Sequence, residues 1–189
     1  MSLENNSDAR LVSFRLGEES SLQHFFDHYF PALVYFSYDI TKDQAVAEEI
    51  ASDAFLKLWN KRSQFFKVNS LKAYLYRVVK NASIDFIRSS KVVYKNEQSY
   101  HYFADTTEKA IEEKMIASET YAMILAVIET MPAGYQRVCR GIFLEGKSYE
   151  ELADELNITN VNIRNQKSKA ILFLRKRIPL AILIPLFFI

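Results

Sequence analysis

Apolar side chains return every three or four positions along most of this chain. That spacing lines one face of a helix and cannot line one face of a strand, whose side chains alternate. The clearest case is residues 70–90, where Leu71, Tyr74, Leu75, Val78, Val79, Ala82 and Phe86 form one stripe. Residues 43–62 carry Val46, Ile50, Phe55, Leu58 and Trp59 on a broad face, and residues 20–39 are dense in aromatics. Pro31 is expected to start a second helical piece there, because proline lacks a donor and crowds the preceding turn. The chain has 189 residues but only 4 Gly and 4 Pro. That scarcity argues against a Gly-rich phosphate loop, a turn-dense β-sandwich and collagen-like structure. The expected fold is all-α.

Between residues 91 and 106 the period is lost, and a linker is expected. The helical pattern resumes near Thr107, breaks at Met131-Pro132, and continues to about Glu145, where Gly146 closes a helix. Two small helical domains follow from this, 10–90 and 107–178, with an apolar tail at 179–189. The apolar run 178–189 holds 12 residues and two prolines. It is too short for a spanning helix. The first ten residues show no basic stretch followed by an apolar one, so no signal peptide is expected. Cys139 is the one cysteine, which excludes an internal disulfide and fits a reducing, cytoplasmic compartment.

Net charge is +1, yet the charges are segregated. Residues 39–56 carry five acids and one base; residues 57–91 carry nine bases and one acid; residues 159–178 carry six bases and no acid. Two basic blocks offer two places for a polyanion. The second block lies in the strongest local signal. Ser148 and Glu151 make a capping box, Leu152, Ala153, Leu156 and Ile158 face inward, Asn157 suits a left-handed turn, and Thr159 caps a second helix held by Ile163. This is a helix-turn-helix pattern over 148–177. Its exposed face is expected to present Asn160, Asn162, Arg164, Asn165, Lys167, Ser168 and Lys169 beside the cap Thr159. Arg and Lys bond guanine edges or phosphates and Asn bonds adenine, so duplex DNA is the expected ligand.

The first basic block places Arg77, Asn81 and Asp85 on one stripe, with Lys72, Lys80 and Arg88 close by and Phe65-Phe66-Lys67 just upstream. Aromatics beside bases suit single-stranded nucleic acid, which needs stacking platforms and neutralised phosphates. Phe65 and Phe66 could equally be core residues that close a loop. The acids Glu49 and Asp53 share one helix face, away from the core residues Ile50, Phe55 and Trp59, and suit a basic protein partner better than DNA.

Residues 45–62 and 71–88, together with 130–176, resemble conserved regions 2 and 4 of the extracytoplasmic-function (ECF) sigma factors, short members of the bacterial sigma-70 family. The pattern Asn81-x-x-x-Asp85-x-x-Arg88 and the run Ser148-Tyr149-Glu150-Glu151-Leu152-Ala153 carry the likeness. The resemblance implies a dissociable subunit of RNA polymerase. It implies that Glu48, Glu49, Ser52 and Asp53 meet the clamp helices of the core enzyme. The 63–69 loop and the Lys72–Arg88 helix would separate the promoter −10 strands, and the second helix of the helix-turn-helix would read the −35 duplex while region 4 touches the polymerase flap. An anti-sigma factor is a further implied partner, and a monomer is expected. Ser52 stands where the family often has Gln, Asn157 where it has Gly, and Asn162 where Thr is common.

No Ser-His-Asp set, phosphate loop or carboxylate pair points to catalysis, so no enzyme activity, cofactor or small-molecule substrate is expected. His24 and His28 lie four apart but lack a third ligand, and no metal is expected. The alternative to a sigma factor is a helix-turn-helix regulator whose N-terminal helical domain binds a ligand or partner.

Overall fold

The computed structural model describes residues 2–89 and 108–179. Among these residues there are eight α-helices, one short 3-10 turn and no strand. In order they are α1 (Ser2–Leu16), α2 (Glu19–Thr41), α3 (Gln44–Asn60), the 3-10 turn Arg62–Gln64, α4 (Val68–Ser89), α5 (Glu108–Glu129), α6 (Ala133–Phe143), α7 (Tyr149–Leu156) and α8 (Asn160–Arg175). The expected linker 91–106 and most of the apolar tail lie outside the described residues.

The chain divides into two compact units between Ala122 and Met123, inside α5. In the first unit, α2, α3 and α4 pack on one another around Phe25, Leu33, Ile40, Leu58, Leu71 and Leu75, all almost wholly buried. The stripe of α3 differs in detail from the one expected. Ala47, Ala51 and Ala54 are fully buried at its centre, while Val46, Ile50 and Trp59 are half-buried at its edges. Small side chains at the contact let neighbouring helices approach closely, which a reading weighted to large apolar residues overlooks. The α4 stripe also drifts. Its C-terminal half buries Ser83, Ile84 and Ile87, and leaves Ala82 and Phe86 half-buried. Buried Ser83 is satisfied by Ser37, their hydroxyls 2.8 Å apart.

Two further findings correct the expected boundaries. Pro31 does not begin a new piece; α2 continues through it from Glu19 to Thr41. The lost backbone hydrogen bond is offset by burial of Ala32, Leu33, Val34 and Phe36 immediately beyond it. A helix also precedes the aromatic segment: α1 buries Leu11 and Phe14, and the Phe14 ring meets Phe25 and Trp59 edge-on, with centroids 5.5 and 5.6 Å away.

The first four turns of α5 belong to the first unit. Ile111 and Met115 pack on its core, the Tyr76 and Ser118 hydroxyls are 2.9 Å apart, and Tyr35 stacks on Tyr121 with centroids 4.1 Å apart. Lys114 donates to Asp39, and Lys72 Nζ donates to Glu119 Oε2 at 2.8 Å. Burial favours the neutral Asp39 carboxyl, but the hydrogen bonds from Lys114 and Lys42 outweigh it and hold its pKa below the usual value.

The second unit has two small apolar clusters on opposite sides of α6. Cys139 joins Ile124, Ile128, Met131, Ala170, Leu174 and Ile178 in one, and Val138 joins Leu152, Ala153 and Ile163 in the other. Ile178, where the apolar run begins, is therefore part of a core. Gly141 sits where α6 and α7 nearly touch: a Cβ there would fall 2.1 Å from Leu152 Cδ1. Gly146, with φ +66°, turns the chain out of α6 while the Lys147 N–H reaches back to the Gly141 carbonyl at 2.9 Å.

Candidate nucleic-acid interface

The helix-turn-helix of the second unit is built from local chemistry. Ser148 Oγ accepts from the Glu151 N–H at 3.1 Å, and Glu151 Oε2 accepts from the Ser148 N–H at 2.8 Å. These bonds satisfy two backbone donors at the start of α7 and hold the Glu151 carboxyl below its ordinary pKa. At the other end Asn157 adopts φ 51°, ψ 48°, the left-handed geometry expected of the turn, and the Ile158 N–H reaches the Ala153 carbonyl at 3.0 Å. Thr159 Oγ1 then accepts from the Asn162 N–H at 3.3 Å and starts α8. Ile163, wholly buried, locks α8 against Leu152 and Ala153.

With Ile163, Ala170 and Leu174 buried, α8 turns the opposite face outward. Asn160, Asn162, Arg164, Asn165, Ser168 and Lys169 are exposed on it, beside exposed Thr159. Lys167 differs: it is half-buried, donates to the Tyr149 hydroxyl at 2.8 Å, and lies over the Phe143 and Tyr149 rings. It braces α8 against the preceding helices. The Ser168 hydroxyl donates to the Arg164 carbonyl at 3.0 Å. Val161, which polar patterning does not single out, is 64% exposed in the first turn of α8. An apolar residue among asparagines at a helix start was the available signal, and such a side chain suits a thymine methyl.

The first unit carries two further surfaces. Phe65 and Phe66 part company: Phe65 is buried against Tyr74, with centroids 5.2 Å apart, whereas Phe66 is 69% exposed. Lys67, Arg77, Asn81, Asp85 and Arg88 are exposed and Lys80 is half-buried; Asp85 and Arg88 are 3.7 Å apart. Lys72, expected on this surface, is held instead by Glu119 of α5. On α3, Glu48, Glu49 and Asp53 are exposed, and Ser52 is half-buried with its hydroxyl donating to the Glu48 carbonyl at 2.8 Å. Beside them opens a cleft of about 490 Å³ lined by Leu22, Phe26, Ser52, Phe55, Leu56 and Trp59. Leu56, 64% exposed, is an apolar side chain on that rim which helical periodicity did not single out.

Burial pushes the Cys139 thiol up to about 11, so it stays protonated and inert at neutral pH. His24 and His28 stack at 6.5 Å, burial lowers the pKa of His24, and no group of three metal-binding side chains occurs among the described residues. Among those residues no helix is long and apolar enough to cross a membrane.

Comparison with known proteins matches residues 25–92 to sigma-70 region 2 and residues 121–174 to sigma-70 region 4. Similar proteins include the probable RNA polymerase sigma factor RfaY of Xanthomonas campestris, 24% identical over 69% of this chain and 34% of the relative. RNA polymerase sigma factor SigZ of Bacillus subtilis is 22% identical over 68% of this chain and 70% of its own. ECF RNA polymerase sigma factor SigL of Mycobacterium tuberculosis is 22% identical over 88% of this chain and 94% of its own. The chain thus spans about a third of the length of the Xanthomonas relative and most of the others. With a region 2 match on the helical first unit and a region 4 match on the helix-turn-helix, the chain belongs to the sigma-70 family of transcription-initiation factors, as an ECF RNA polymerase sigma factor.

Proposed function

We propose that this chain directs core RNA polymerase to its promoters through three separate surfaces. The exposed carboxylates Glu48, Glu49 and Asp53 of α3, with Ser52 beside them, dock on the basic clamp helices of the core enzyme. The loop after α3, with Phe66 and Lys67, and the Arg77, Lys80, Asn81, Asp85 and Arg88 face of α4 hold the opened −10 strand. Lys72 joins that surface once it leaves Glu119. The α8 face from Thr159 to Lys169 reads the −35 duplex, with Arg164 as the strongest candidate for a guanine contact. The polymerase flap meets the second unit, and an anti-sigma factor covers one of these faces in the uninduced cell. The chain acts as a monomer in the cytoplasm, and the chemistry of RNA synthesis remains with the core enzyme.

The observation that carries this reading is the division of labour itself. One unit presents an acidic face and a basic aromatic face, and the other presents a polar, acid-free helix held out by caps. An acidic face suited to a basic protein partner, beside a basic aromatic face in the same unit, fits a subunit that binds both the core enzyme and an opened strand. The test is Glu49→Lys combined with Asp53→Lys. Both positions are exposed, so the variant stays folded by circular dichroism. We expect it to lose core binding and promoter-directed transcription while duplex binding by α8 is retained. Unchanged affinity for core polymerase would sink the assignment of α3.

A further inference from the structure

We propose that α1 takes part in holding the opened DNA strand, with Arg15 and Phe66 forming an exchange site for one nucleotide. This inference rests on the strand-opening role proposed above for the 63–69 loop, and adds a helix that lies before the region 2 match of residues 25–92. Phe66 is 69% exposed, and its ring is not bare: the Arg15 guanidinium lies over it, 3.8 Å from the centroid. Arg15 comes from the last turn of α1, whose place is fixed by the buried Leu11 and Phe14. Arg15 Nε is buried without a hydrogen-bond partner. A guanidinium with an unmet donor, parked on an exposed ring, is held by a weak contact and leaves readily for an anion.

Cations flank the neighbouring rings as well. Lys61 and Arg77 lie 5.5 and 5.6 Å from the Tyr74 ring, and Arg62 lies 4.7 Å from that of Trp59. Here each cation sits on a ring that is at least half-buried, so of these three rings Phe66 is the most exposed to a base. A spacing of 3.8 Å leaves no room for a base between Arg15 and Phe66. An unpaired base therefore stacks on Phe66 only as Arg15 swings aside. The displaced guanidinium stays tethered within reach of the same strand, where it pairs with a phosphate. The cation–ring contact of the free protein is exchanged for a base–ring contact and an Arg–phosphate contact. Stacking of this kind tolerates any base, so the ligand is single-stranded DNA of no fixed sequence at this position.

The test uses polymerase holoenzyme reconstituted with the full chain and a single-stranded oligodeoxythymidine carrying one 2-aminopurine, titrated at several salt concentrations. Phe66→Ala should weaken binding about tenfold and abolish 2-aminopurine quenching. Arg15→Ala should weaken it severalfold and flatten the slope of log affinity against log salt by about 0.7, the share of one phosphate contact on a single strand. Arg15→Lys should keep the slope. All three variants should bind core polymerase normally. Failure of the unaltered chain to bind core would overturn the sigma-factor reading. Normal core binding with an unchanged affinity and slope for Arg15→Ala, or with tighter binding, would overturn this inference and leave that reading intact.

Discussion

The two units solve the same problem by different means. The first buries large side chains from four helices around one continuous core, with Leu33, Leu58, Leu71 and Leu75 at its centre. The second has short helices and two small clusters split by α6. The small cluster of Ile163, Leu152 and Ala153 holds α8 on α7, and the left-handed Asn157 and the cap Thr159 shape the turn between them, while the capping box at Ser148 starts α7. Both units therefore depend on packing, and the second adds backbone hydrogen bonds at its helix ends to two small cores. The surfaces proposed for DNA differ in the same way. The α8 face is assembled from neighbours in sequence. The surface around Phe66 joins α1, the loop and α4, and Lys72 is governed by Glu119, 47 residues away.

This contrast can be broken by experiment. The largest effect should come from Leu75→Ala, which removes a fully buried side chain of the first unit and should cost about 2–5 kcal/mol. Trp59 is the one tryptophan and lies in that unit, so its fluorescence during urea unfolding reads the loss directly. Next comes Gly141→Ala. The added methyl meets Leu152, itself buried, and should cost about 1–3 kcal/mol as α6 and α7 are forced apart. Circular dichroism melting should move, duplex DNA binding should fall, and the Trp59 transition should stay where it is. If Trp59 fluorescence shifts equally, α5 couples the units into one cooperative block and the comparison fails.

Smaller changes sharpen the second half of the contrast. Asn157→Ala places an ordinary L-residue in left-handed backbone and should destabilise the helix-turn-helix by about 1 kcal/mol, whereas Asn157→Gly should not. Ser148→Ala should cost about 1 kcal/mol through the lost cap. The smallest effect belongs to Glu151. Its folded pKa is depressed, so its carboxylate stabilises the fold above the ordinary carboxylate range and ceases to do so as pH falls through the depressed value. The stability gap between the natural chain and Glu151→Gln should be present at neutral pH and vanish in acid, as measured by urea unfolding at both.

Helical period, the capping box, the turn at Asn157 and the outward face of α8 were legible in the sequence because each depends on residues within one or two turns. The acidic face of α3 was legible for the same reason. Other features were not. Pro31 inside a continuous helix, the buried alanines of α3 and the separate fates of Phe65 and Phe66 follow from what packs against them. So does the half-buried setting of Lys167, which donates to Tyr149 and lies over Phe143.

The sequence by itself thus determined an all-helical chain, the position of its helix-turn-helix and the segregation of its charges, since propensity, capping and charge are properties of short stretches. Tertiary structure alone decided that Phe65 is buried and Phe66 exposed. It also decided that Lys72 is paired with Glu119, that Lys167 donates to Tyr149, and that α1 brings Arg15 over Phe66. Those outcomes depend on contacts between residues far apart in the chain, and a distance in space between such residues is not written in any local pattern.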